Sequence, residues 1–158
     1  MKVAIIGYGH VGKAMHHLFN NALLYDVIKR DDGKWATKEE VNNCNVAFIC
    51  VPTPMSQENG SCDTSIVEEV ISWCSCPLLI IRSTVPVGFT KAMVAKYHKK
   101  IVFQPEYYGE TVAHPFVDLT TRKWISLGEN NQPSIKQLNF IKLSWIQLCE
   151  FIKLIVIV

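Results

Sequence analysis

The amino-acid sequence predicts a doubly wound α/β domain, a mostly parallel sheet with helices on both faces. Three observations lead there. Short continuous apolar runs alternate with stretches of helical periodicity. A glycine-rich turn, Gly7-Tyr8-Gly9-His10-Val11-Gly12, joins the first run to the first helix. Prolines then stop three later runs, at Pro52, Pro86 and Pro105.

The elements follow in order. Lys2 to Ile6 is apolar and ends in glycine, as a buried parallel strand does. Val11, Ala14, Met15, Leu18 and Phe19 recur at spacings of three and four and predict a helix. Tyr25 to Arg30, carrying Val27 and Ile28, reads as the second strand. Thr37 and Glu40 stand at capping-box spacing for a short helix over 37–43. Val46 to Val51 is the next strand. Asp63 is the expected N-cap of a helix with the stripe Ile66, Val67, Val70, Ile71 and Cys74. Leu78 to Ile81 is a strand, Phe89 to Tyr97 a helix, Ile101 to Phe103 a strand and Lys123 to Leu127 one more. Right-handed crossovers wind such a chain into two helix layers around one sheet.

One domain is all that 158 residues comfortably hold. We assign it to residues 1–128, with 129–158 as a helical or apolar extension. That extension has two readings, a last strand or packed helix and a truncated or altered reading frame. Its end, Phe151 to Val158, is apolar enough to dock a partner or a second copy. A content of 49% hydrophobic and 19% charged residues is that of a folded soluble protein, and a net charge of +2 gives no electrostatic case for nucleic acid. No apolar run approaches the ~18 residues that span a membrane. Six cysteines without metal-ligand spacing are expected as structural or free thiols, in a reducing, cytoplasmic setting.

The glycines carry the first functional expectation. Gly7 permits the tight turn, Gly9 lets backbone approach a pyrophosphate, and Gly12 lets helix and strand pack closely. The helix N-terminus then offers N–H groups and a dipole to the phosphates. With a strand before and a helix after, the motif is that of a Rossmann dinucleotide site. Such a site wants an acidic residue after the second strand, about 20 residues on. Asp31, nineteen residues past Gly12, is the candidate and favours NAD over NADP; Asp32 is its rival, and Lys29 and Arg30 would soften the repulsion of a 2′-phosphate. A solvated Asp-Asp-Gly turn is the alternative.

Three later segments place polar groups on successive strand ends: Val51-Pro52-Thr53-Pro54, Ser83-Thr84 within Arg82 to Gly88, and Glu106-Tyr107-Tyr108-Gly109-Glu110 after Pro105. Together with the glycine turn, the run FICVPTP (48–54), GSCDTS (60–65), STVPVG (83–88) and PEYYGE (105–110), the chain resembles the UDP-glucose/GDP-mannose dehydrogenase family over residues 1–128. The resemblance implies oxidation of a nucleotide sugar's primary alcohol to a carboxylate with two NAD, through an aldehyde, a cysteine thiohemiacetal and a thioester. It implies that Gly7, Tyr8, Gly9, His10, Val11, Gly12 and Asp31 bind NAD. Val51, Pro52, Thr53 and Pro54 would line the cofactor, with Ser83 and Thr84 near the nicotinamide. Thr84 would also position the catalytic water, and Glu106 would assist general-base hydrolysis. Tyr107, Tyr108 and Gly109 fall in the substrate loop with Glu106, and Glu110 lies near both cofactor and sugar.

The sequence also departs from the family. Nothing in it resembles the glycine-rich segment that carries the nucleophilic cysteine, and a UDP-binding domain is missing. Cys149, between Leu148 and Glu150, is no substitute, because a neighbouring carboxylate disfavours the thiolate. Three readings stay open: a truncated cofactor domain of a nucleotide-sugar dehydrogenase, one half of a split enzyme, and a stand-alone dinucleotide or partner-docking module.

Overall fold

The computed structural model describes residues 1–28 and 34–105 in full, and the backbone of Trp124–Leu127 and Leu154–Ile157. Five strands, β1 Val3–Ile6, β2 Leu23–Tyr25, β3 Val46–Ile49, β4 Leu78–Ile81 and β5 Ile101–Phe103, form one sheet in the order β2-β1-β3-β4-β5. Every pairing in it is parallel, with Ile5 opposite Leu24 on one side and Phe48 on the other. Four helices alternate with them: α1 His10–Leu18, α2 Lys38–Asn42, α3 Ser65–Trp73 and α4 Phe89–Tyr97.

Strands β1, β3 and β4 are apolar and buried at every position because both faces are covered. Along β1, β3 and β4, successive side chains enter two separate cores. Ala4, Ile6, Ala47, Ile49, Leu79 and Ile81 pack with Val41 of α2, Val67, Val70 and Ile71 of α3 and Met93 of α4. Val3, Ile5, Val46, Phe48, Leu78 and Ile80 pack on the other face with Met15 of α1 and with Phe19. Phe19 and Phe48 meet with ring centroids 5.0 Å apart. Cys44, Cys74 and Cys76 fill the first core as free thiols. The hydrogen bond between the Cys74 and Cys76 thiols brings Cys74 down to about 7 and pushes Cys76 upward.

Local signals account for the helix ends. Thr37 and Glu40 form the expected capping box: the Thr37 hydroxyl accepts from the Glu40 N–H at 3.2 Å, and the Glu40 carboxylate accepts from the Thr37 N–H at 2.8 Å. Asp63 stands one residue before the true N-cap, Thr64, and its carboxylate accepts from the Ser65 N–H at 2.9 Å. That backbone bond holds the Asp63 carboxyl below its ordinary value. At the other end of α3, the Lys99 ammonium donates to the carbonyls of Ile71, Ser72 and Cys74 at 2.5–2.9 Å. This cation answers the orphan carbonyls at the negative end of the helix dipole.

Besides the N-cap of α3, two strand expectations change. The second strand is Leu23–Tyr25, not Tyr25–Arg30. The Asp26 carboxylate accepts from the Ile28 N–H two residues on, at 2.9 Å, and this turn ends the strand. Val27 and Ile28 are consequently 83% and 71% exposed, although both have strand-forming side chains. The strand expected over 123–127 exists as β6 Trp124–Leu127. It pairs in parallel with β7 Leu154–Ile157 in a second, two-stranded sheet and not with the five-stranded one. The rest of the 129–158 extension lies outside the described residues.

Candidate functional site

Strand order places the site before any side chain is considered. From β1 the chain crosses to β2 with α1 on one face. From β2 onward it crosses back through β3, β4 and β5 with α2, α3 and α4 on the other face. The reversal falls between β1 and β3, and a crevice opens there at the carboxyl ends of the strands. A cleft of about 630 Å³ occupies this place, a volume suited to a small-molecule ligand.

The three glycines of the turn have three different physical reasons. Gly7 has φ +91°, and a Cβ on it would stand 2.7 Å from the Cys50 carbonyl oxygen. A Cβ on Gly12 would overlap the Gly7 carbonyl oxygen, so α1 can lie this close to β1 only with glycine there. Gly9, the N-cap of α1, has an ordinary extended φ of −75°, and a Cβ on it would meet nothing within 4 Å. Protein packing explains Gly7 and Gly12. It does not explain Gly9.

The turn is fastened from behind. The Tyr8 N–H donates to the Asp26 carboxylate at 2.6 Å, and the Gly7 N–H to the Tyr25 carbonyl at 2.9 Å. The Tyr8 ring packs edgewise on His16 and Trp35, both at 5.6 Å, and its hydroxyl lies 2.7 Å from His16 Nδ1. Asp26 thus accepts one backbone N–H on each carboxylate oxygen, from Tyr8 and from Ile28, while bordering the cleft. Each oxygen keeps a further lone pair for a ligand donor.

The opposite wall comes from the ends of β3 and β4. The Ser83 hydroxyl donates to the Val51 carbonyl at 2.7 Å, tying the two strand ends together. The Cys62 thiol lies 3.5 Å from the Thr84 carbonyl oxygen and 4.0 Å from that of Thr53. A third wall is one stripe of α3, in which Ile66, Glu69, Val70 and Trp73 all border the cleft. Trp73 packs on Tyr25 at 5.3 Å, and the Lys38 ammonium stands 4.9 Å from its ring centre.

The structure therefore brings Gly7, Tyr8, Gly9, His10, Val11, Val51, Pro52, Thr53, Ser83 and Thr84 to one cleft. Gly12 lies just inside α1 against Gly7, and Pro54 is exposed outside the lining. Asp31, Glu106, Tyr107, Tyr108, Gly109 and Glu110 lie outside the described residues. Asp26, Trp35 and the α3 stripe were missed by the sequence reading. The i, i+3, i+4, i+7 spacing of Ile66, Glu69, Val70 and Trp73 was the available signal for the last. Among the described residues there is no His, Cys, Asp and Glu cluster suited to a metal. None of their helices is long and apolar enough to cross a membrane.

Comparison with known proteins agrees with this geometry. Residues 29–145 match the UDP-glucose/GDP-mannose dehydrogenase family, NAD binding domain. A UDP-glucose 6-dehydrogenase of Campylobacter jejuni is 29% identical over 147 residues, covering 70% of this chain and 37% of that protein. Among solved structures, a GDP-mannose dehydrogenase from Pseudomonas aeruginosa superposes with a TM-score of 0.72 at 19% identity, over 99% of this chain and 46% of its own. A UDP-glucose dehydrogenase from Pyrobaculum islandicum superposes with a TM-score of 0.73 at 20% identity, over 98% and 46%. The chain spans less than half the length of each. The family match begins after the glycine turn, so turn and match are separate observations.

Proposed function

Since the chain belongs to the UDP-glucose/GDP-mannose dehydrogenase family, as its NAD binding domain, we propose that it holds NAD in this cleft as the cofactor half of a nucleotide-sugar 6-dehydrogenase. The observation that carries the reading is Gly9. No protein atom stands within 4 Å of where its Cβ would lie, yet it caps α1 at the crevice, where a ligand's phosphates would meet the helix N-terminus.

In this reading the first-turn N–H groups of α1 take the pyrophosphate. Asp26, not Asp31, accepts hydrogen bonds from the adenosine ribose hydroxyls, since it closes β2 and has a spare lone pair on each oxygen. Its charge repels a 2′-phosphate, which makes NAD the cofactor in preference to NADP. NAD supplies the hydride acceptor for oxidation of the sugar alcohol. Pro52, Thr53 and Thr84 line the nicotinamide end, where Ser83 acts by fixing the wall. Thr84 would position water and Glu106 would serve as base, with Tyr107, Tyr108, Gly109 and Glu110 toward the sugar. A carboxylate base and a hydroxyl do not suffice for the full oxidation, which also needs a thiolate nucleophile and a grip on the nucleotide. The 158-residue chain alone is therefore expected to bind cofactor without converting UDP-glucose.

Two tryptophans in the cleft, Trp35 and Trp73, provide the test. Titrating NADH into the chain should give tryptophan-sensitised NADH emission that NAD displaces and NADP displaces poorly. Adding UDP-glucose and NAD should produce no NADH. No energy transfer on saturation would overturn the cofactor reading, and NADH production would overturn the expected inactivity.

A further inference from the structure

Helix α3 turns two faces to the protein, and they differ in chemistry. Val67, Val70 and Ile71 enter the core. Ile66, Glu69, Val70 and Trp73 border the cleft, beside Tyr25, Val27 and Ile28 at its β2 end. Three of those four α3 residues are apolar, and Trp73 and Tyr25 add aromatic surface. A flat heteroaromatic base stacks on surface of this kind. One carboxylate stands among them.

Glu69 is conspicuous beside its neighbour. Glu68 points to α4, where it accepts from the Lys96 ammonium at 2.5 Å and from the Tyr97 hydroxyl at 2.9 Å. Those bonds hold the Glu68 carboxyl below its ordinary value. Glu69 has no such cation among the described residues, and it lines the same cleft as Asp26 with its side chain exposed. A carboxylate at neutral pH accepts hydrogen bonds and donates none. A ligand group that meets it must be a donor, and a carbonyl in the same place would be repelled.

We propose that Glu69 is a base-specificity residue, accepting a hydrogen bond from the exocyclic amino group of the adenine in the bound dinucleotide. The proposal rests on the cofactor reading above and deepens it. With the ribose on Asp26, the base extends toward Val27, Ile28 and the α3 stripe, where Ile66 and Trp73 contact its faces and Glu69 meets its edge. Deamination replaces the amino donor by a carbonyl acceptor, so a hypoxanthine base should be rejected by Glu69.

The test is a calorimetric comparison of NAD with nicotinamide hypoxanthine dinucleotide, on the full chain and on the variants Glu69→Leu, Glu69→Gln and Glu68→Gln. The full chain should prefer NAD by about ten- to a hundredfold, the range of one hydrogen bond to a charged acceptor. Glu69→Leu should bring the two ligands within about twofold. Glu69→Gln, which can turn either an acceptor or a donor to the base, should narrow the preference, while Glu68→Gln should leave it unchanged. Equal binding of both ligands by the full chain would overturn the role of Glu69 and leave the NAD reading standing. Binding of neither would overturn both.

Discussion

Strands β1, β3 and β4 stay buried to their last residue and the chain changes character just beyond it, and this contrast between the body and the carboxyl edge organises the molecule. In the body, Ile6, Ile49 and Ile81 are at most 1% exposed and serve only to fill volume between layers. One to three residues later stand Gly7, Val51-Pro52 and Arg82-Ser83, each chosen for backbone conformation, reach or hydrogen bonding. The body accepts any side chain of suitable size and pattern, because apolar burial is non-directional. The edge does not, because a left-handed φ, a close backbone approach and a ligand hydrogen bond each admit very few residues. Substitutions in the two regions should therefore fail in different ways.

The largest expected effect belongs to the body. Phe48→Ala removes a buried ring from the α1 face and should destabilise the fold by about 3–5 kcal/mol, read from denaturant unfolding. A loss below about 1 kcal/mol would mean that the two-layer core is not formed as described. Gly12→Val belongs to both regions, since its side chain would drive α1 away from Gly7. It should destabilise by about 2–4 kcal/mol and abolish NAD binding as well. Retained affinity in a folded Gly12→Val chain would show that α1 does not hold the phosphates.

Edge substitutions that remove a ligand contact should act more on binding than on stability. Asp26→Ala should weaken NAD by about 1–3 kcal/mol and narrow the gap to NADP, measured by competing each against NADH. An unchanged ratio would return the ribose contact to a residue outside the described part, such as Asp31. Gly9→Ala is the sharper comparison with Gly12→Val. Its methyl meets no protein atom, so unfolding stability should fall by no more than about 1 kcal/mol, the scale of an N-cap change, while NAD affinity falls at least about tenfold. The smallest effect is expected far from the cleft. The Glu68–Lys96 pair is exposed at 31% and 59%, so Glu68→Gln should cost less than about 0.5 kcal/mol. The Glu68 carboxyl is lowered in the folded state, so that small contribution is full above its ordinary value and lost as pH falls through the lowered one.

The same contrast explains what could be read in the sequence. Strands β3, β4 and β5 stand where apolar runs and proline stops put them, because burial on both faces leaves a continuous signature, and helix α4 stands where its one buried stripe put it. Strand β2 was misplaced because Val27 and Ile28 look like strand residues while projecting outward at the rim of a cleft. Asp31 lies outside the described residues, and the earlier end of β2 brings Asp26 forward as a second candidate for the acidic partner. Helix α1 is only nine residues long, so β2 arrives early and its terminal carboxylate, Asp26, comes sooner after Gly12 than the customary spacing suggests. Counting residues pointed to Asp31, whereas the strand end and the Tyr8 N–H point to Asp26. The α3 wall escaped notice because Val70 serves the core and the cleft at once, so the stripe reads as ordinary helix amphipathicity. Ser83 was legible as a cleft residue, but its hydrogen bond to Val51 required coordinates.

The central claim is that the crevice between β1 and β3 is a dinucleotide site, and calorimetric titration of the 158-residue chain with NAD tests it most directly. The account predicts saturable binding at one site per chain, with a Kd below about 1 mM, equivalent to more than about 4 kcal/mol. A titration that shows neither heat nor a rise in melting temperature up to millimolar NAD would contradict it.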